Sequence, residues 1–174
     1  MRWVSHIAIA GAITAVFNPL AVPAAIAGST APDWLEFALR PLAGRKIQHR
    51  GVTHYLVYWI AAMFFAHFVF DWQGMLFWFA FGGFVHWFCD ALTITGAPVS
   101  PWSTRKTQIF GGRLRTGSPA EYVIAFVIVF ICGVVIYTKT RSDGYIPFFT
   151  NWPGLYQDGT IDAVEWRRER FSWF

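Results

Sequence analysis

Two apolar stretches, His54 to Phe70 and Met75 to Ile94, are separated only by Asp71-Trp72-Gln73-Gly74, and this short link constrains the fold more than any other feature of the chain. A helix rises about 1.5 Å per residue, so the first stretch is on the order of 25 Å long, close to the ~30 Å hydrocarbon layer of a bilayer. So short a link forces an antiparallel helical hairpin. The start of one stretch then lies beside the end of the other, which brings His54 next to Asp90 and leaves Asp71 at the opposite face.

Two more apolar stretches, His6 to Gly28 and Tyr122 to Tyr137, complete the set. With 55% hydrophobic and only 14% charged residues, the 174-residue chain lies outside the range of soluble domains. Aromatic residues make up 20% of it, including ten Trp, a side chain that favours the headgroup level. The expected fold is all-α: a polytopic transmembrane helical bundle of about four membrane segments.

The first stretch is irregular, because Asn18-Pro19-Leu20 and then Pro23 interrupt an Ala- and Gly-rich helix. Proline removes a backbone donor and kinks or ends a helix. The segment therefore either crosses with a kink or dips in and returns as a re-entrant hairpin, which is tolerated where protein surrounds the broken backbone. The two options put His6 on opposite faces. The stretch carries His6 and is followed by Pro32-Asp33, so it is read as retained and not as a cleaved signal peptide.

Eight of the fourteen basic residues lie in two loops, Ser29 to Thr53 and Thr95 to Glu121, and none lies in the Asp71 turn. The positive-inside rule makes those loops cytoplasmic; the expected location is the cell inner membrane, as a multi-pass protein. Residues 1–138 form the transmembrane helical domain; residues 139–174 form an aromatic and basic tail whose end, Ala163 to Phe174 with Trp166, Arg167, Arg168, Arg170, Phe171 and Trp173, suits an interfacial helix. A net charge of +4 without a long basic run excludes nucleic acid as the natural partner and points to membrane lipids and phosphate-containing lipid substrates; the oligomeric state stays open. Cys89 and Cys132 both sit in apolar runs, and no CxxC spacing exists, so any metal must be held by histidines and carboxylates.

The five histidines, His6, His49, His54, His67 and His86, need partners or tasks at membrane depth. His86 and Asp90 are four apart and project from one helix face. Through the hairpin they meet His54, from the element His49-Arg50-Gly51-Val52-Thr53-His54. Asp33 follows the first stretch on the same side, and His6 joins if that stretch re-enters. Clustered His and Asp are the ligands that a thiol-free divalent site uses. His67 and Asp71 repeat the spacing at the far face, where they are read as structural.

From His6 to Pro101 the pattern resembles the YdjM-like inner-membrane proteins, a family described as membrane-bound metal-dependent hydrolases. The resemblance rests on Ser5-His6, the Gly-x-x-x-Pro-Asp element from Gly28 to Asp33, His49 to His54, Gly83 to Asp90, Thr95-Gly96-Ala97-Pro98 and Pro101. Two positions depart from it: Leu35 stands where a second acid is usual, with Glu36 adjacent, and Tyr55 replaces a small hydroxyl residue.

The expectation is a membrane-embedded metal-dependent hydrolase acting on a phosphoester or lipid-linked substrate. A divalent ion, zinc by preference, is held by His54, His86 and Asp90, with Asp33, His49 and His6 as further ligands, and lowers the pKa of a bound water from ~16 towards ~7. Asp33 or His49 serves as general base, and Arg50 steadies charge on the phosphoryl oxygen. The rival is a non-catalytic membrane scaffold in which the same residues form a structural metal site or a hydrogen-bonded cluster.

Overall fold

The computed structural model describes residues 1–43, 50–72, 74–103, 105–143, 156–160 and 162–164. His49 and most of the basic, aromatic terminus lie outside these, as does the expected interfacial helix except at its first residues. The described residues form five α-helices: α1 (Trp3–Phe17), α2 (Val22–Ala43), α3 (Leu56–Phe68), α4 (Met75–Ala91) and α5 (Pro119–Asp143).

The first apolar stretch is a helical hairpin. α1 stops at Asn18, whose extended backbone precedes a single 3-10 turn, Pro19–Ala21, and α2 then returns against α1. His6 and Asp33 each lie about 20 Å along their helices from Pro19, so the reversal brings them to one level.

α2 also corrects the loop expected from Ser29 onward, since the helix continues through Pro32 to Ala43. Packing outweighs the proline: α2 lies against both α1 and α4. At its crossing with α4 the backbones nearly touch. A Cβ on Gly28 would strike the Phe79 backbone, and one on Gly82 would strike the backbone of Ala25, Gly28 and Ser29. Small residues at helix crossings permit this approach in membranes.

α3 and α4 form the hairpin required by the Asp71 turn. Gly74 takes the left-handed conformation, with φ 79°, and the Asp71 carboxylate accepts hydrogen bonds from the Leu76 and Phe77 N–H groups at 2.7 and 3.0 Å, capping α4. Asp71 is thus structural, as its position indicated, and the exposed His67 packs edge-on against Phe68. His54 precedes α3 in a short 3-10 turn, Val52–His54, instead of opening the helix.

α5 packs on α1 and is anchored by Glu121, whose buried carboxylate accepts from Arg2 N–H at 2.7 Å, Ser5 Oγ at 2.6 Å and Gly117 N–H at 2.7 Å. Between α4 and α5 lies a two-residue antiparallel pairing, β1 (Ala97–Pro98) with β2 (Lys106–Thr107). The main apolar core joins Ile9, Ala10, Val85, Cys89, Leu92 and Ala125. Within α5, Pro119–Thr138 is long and apolar enough to cross a bilayer; α1, α3 and α4 are apolar but shorter, at 15, 13 and 17 residues.

Candidate metal centre

Four elements converge where α1 begins and α4 ends. α1 supplies His6, α2 supplies Asp33, the 3-10 turn before α3 supplies His54, and α4 supplies His86 and Asp90. The His6 and His86 rings stack, with centroids 4.0 Å apart and planes 12° from parallel, and His54 meets His86 edge-on at 5.1 Å. Asp33 Oδ1 lies 3.3 Å from His54 Nε2 and 3.9 Å from His86 Nε2. Asp90 Oδ2 lies 3.7 Å from His86 Nε2, and its Oδ1 lies 3.6 Å from His6 Nε2.

Apart from the His54–Asp33 contact at 3.3 Å, these separations are too long for direct hydrogen bonds and fit a shared cation. Two N or O ligands about 2.0–2.2 Å from one ion stand roughly 3.3–4.0 Å apart at tetrahedral and wider angles. His6, His86 and Asp90 form one candidate triad, and Asp33, His54 and His86 a second. An imidazole nitrogen gives its lone pair to one ion at a time, so the two triads, which share His86, are alternative and overlapping positions for an ion.

The nitrogen atoms bear this out. Among the described residues, His86 Nε2 and both nitrogens of His6 have no hydrogen-bond partner, although all are buried. Buried polar atoms without partners are rare and call for an ion or water. The donor set therefore fits a divalent cation.

Pro32 has no N–H to offer the Gly28 carbonyl, and Ser29 and Thr30 turn their hydroxyls back to the Ile26 and Ala27 carbonyls at 2.8 and 3.0 Å. One residue on, the Ser29 carbonyl accepts from His86 Nδ1 at 2.6 Å. A carbonyl can only accept, so the proton sits on Nδ1 and Nε2 faces the cluster as a lone pair. His54 Nδ1 lies 3.0 Å from Thr53 Oγ1, whose hydroxyl can donate or accept, and Trp59 holds the turn by donating Nε1–H to the Thr53 carbonyl at 3.0 Å.

A family model described as YdjM inner membrane protein matches residues 1–148. The chain belongs to the YdjM inner membrane protein family. The match includes all five donors and all five helices, and it makes the inner membrane the location of the protein. No curated protein and no solved structure matches the chain.

In this YdjM-family chain, Arg50 occupies an unusual place. It is the one described non-glycine residue with positive φ, 61°, and it is buried. Its N–H donates to Glu36 Oε1 at 2.9 Å, and its guanidinium donates Nε–H to Asp90 Oδ2 at 2.8 Å and Nη1–H to the Gly96 carbonyl at 2.8 Å and Thr93 Oγ1 at 3.2 Å. Left-handed backbone at a branched-chain-sized residue persists where surroundings over-determine it. Asp90 Oδ1 also pairs with the Met1 ammonium.

Asp33, Arg50, His54, His86 and Asp90, all candidates from the sequence, come together in the structure, and the α1–α2 hairpin adds His6. Trp3, Ser29 and Glu36 were missed as parts of the site. Trp3 Nε1–H donates to Asp33 Oδ2 at 2.5 Å, leaving Oδ1 toward the histidines. Glu36 Oε1 lies 4.0 Å from His54 Nδ1, and its place one turn after Asp33 on α2 is the signal that marked it.

Proposed function

We propose that the chain is a multi-pass inner-membrane metal-dependent hydrolase acting on a phosphoester carried by a lipid. The observation that carries this reading is the pair of overlapping triads with partnerless buried imidazole nitrogens, two histidines and one carboxylate in each being a suitable set for zinc or another divalent transition metal. His86 would hold the ion together with His54 and Asp33 or with His6 and Asp90, and the ion would supply a Lewis acid and a water acidic enough to attack at neutral pH.

The remaining work falls to the chain's own groups. Asp33 keeps one oxygen toward the cluster and the other on the Trp3 indole, so it is placed to take a proton from an attacking water. The Ser29 carbonyl and Thr53 hydroxyl orient the imidazoles. Arg50 holds Asp90 while adding positive charge beside a developing phosphoryl anion. The basic residues of the 95–121 segment belong to the same end of the bundle as the cluster, which makes that end cytoplasmic by the positive-inside rule.

A second reading is a structural clasp in a non-catalytic scaffold, favoured by the cations that Asp90 already holds, Arg50 and the Met1 ammonium. Elemental mass spectrometry of detergent-purified wild type, His54→Ala and His86→Ala, followed by a phospholipid hydrolysis screen, separates the two. Near-stoichiometric metal, lost in both variants and accompanied by turnover only when bound, is the expected result; a folded, metal-free wild type leaves the clasp.

A further inference from the structure

Approach to the donors is one-sided. The side chains of His6, His54, His86 and Asp90 are at most 3% exposed, whereas that of Asp33 is 15% exposed. A molecule reaching the cluster therefore arrives past Asp33.

What surrounds that opening is apolar and aromatic. Trp3, bonded to Asp33 through its indole N–H, is 49% exposed. On α2, Trp34 follows Asp33 and Phe37 lies one turn further along, 40% and 59% exposed. A threshold of exposed rings, two with a polar tip, is the surface expected at headgroup level and not at an aqueous mouth. Behind it, the carboxylates of Asp33, Asp90 and Glu36 face a divalent ion, the Arg50 guanidinium and the Met1 ammonium, so the loaded centre keeps a net positive charge.

We propose that the substrate reaches this site sideways from the bilayer, as a lipid with an anionic oxygen headgroup: its chain lies across Trp3, Trp34 and Phe37 while the headgroup passes Asp33 to the donors. This rests on the metal-centred reading above. Rings left facing water carry a free-energy cost that a hydrocarbon chain laid across them removes. The apolar hollow of about 240 Å³ between α1, α4 and α5 is not the route, because none of the five donors lines it.

Protein in maltoside micelles, assayed for metal in every sample, is titrated calorimetrically with hexadecyl phosphate and with inorganic phosphate. Wild type is compared with Phe37→Glu and with Phe64→Glu, which places the same charge on an exposed α3 phenylalanine beside His67, away from the cluster. Hexadecyl phosphate is expected to bind wild type about tenfold or more tighter than inorganic phosphate, from burial of its chain. The ratio of the two affinities, in which the repulsion of either anion by an added carboxylate cancels, falls to about one in Phe37→Glu and is kept in Phe64→Glu, with metal content unchanged in all three. Equal binding of the two probes, no binding of hexadecyl phosphate, or an advantage that survives in Phe37→Glu or disappears equally in Phe64→Glu overturns the lateral route and leaves the metal centre standing. A folded wild type without metal removes the centre and the route together.

Discussion

His6 and His86 stack as parallel imidazoles 4.0 Å apart, one from the first turns of α1 and one from the last turns of α4. Two buried rings in face contact cannot both be protonated without mutual repulsion, and neither presents its Nε2 to a hydrogen-bond partner among the described residues. Each therefore keeps an Nε2 free for a ligand other than a protein hydrogen-bond partner.

Because His86 Nε2 belongs to both candidate triads, its removal damages both. His86→Ala is expected to weaken metal binding more than His6→Ala or His54→Ala, with each single loss costing roughly tenfold or more. Competition against a graded chelator measures the order; equal affinities in the three variants would contradict a shared nitrogen.

Arg50→Ala strips a buried carboxylate of its guanidinium and leaves the Thr93 hydroxyl and Gly96 carbonyl without that donor. Breaking a buried ion pair from one side costs about 3–5 kcal/mol, so a large fall in thermal midpoint is expected in detergent. Arg50→Lys keeps the charge but not the fork, and should fall between Ala and wild type.

The α2–α4 crossing predicts a steric effect. Gly82→Ala and Gly28→Ala each push a methyl into the opposing backbone, which cannot yield as a side chain can. Destabilisation of about 1–3 kcal/mol or more is expected, together with weaker metal binding as Asp33 is levered from His86. Gly133→Ala, with nothing within 4 Å of the added carbon, is the control and should be neutral or up to about 1 kcal/mol stabilising.

The two His-x-x-x-Asp pairs should separate cleanly. Asp71→Ala removes the α4 cap at a cost of about 1 kcal/mol and leaves metal content intact, while Asp90→Ala abolishes metal binding. Loss of metal in Asp71→Ala, read by elemental analysis, would break the assignment.

The legible parts of this architecture were those set by covalent distance. Four residues between two long apolar stretches leave one possible geometry, so His54 beside His86 and Asp90 followed from the sequence. Asn18-Pro19 did not decide between kink and reversal, because a proline permits both and only the packing of α2 on α4 selects one. Pro32 concealed the continuation of α2, since its local cost is visible in the sequence and the compensating helix contacts are not. Trp3, Ser29 and Glu36 were hidden for a related reason: their roles depend on how each helix is rotated about its axis, and long apolar runs with little polar contrast do not reveal that rotation.

The crossing of α2 and α4 at Gly28 and Gly82 has a mechanical corollary. Elsewhere in the bundle, side chains lie between helices and act as a deformable layer that can absorb thermal expansion or lateral pressure from surrounding lipid. Here that layer is missing, and the gap between Asp33 on one helix and His86 on the other is set by main chain against main chain. The donor spacing thereby inherits the stiffness of the backbone, and the cluster should keep its dimensions in bilayers whose thickness and tension would distort a softer joint.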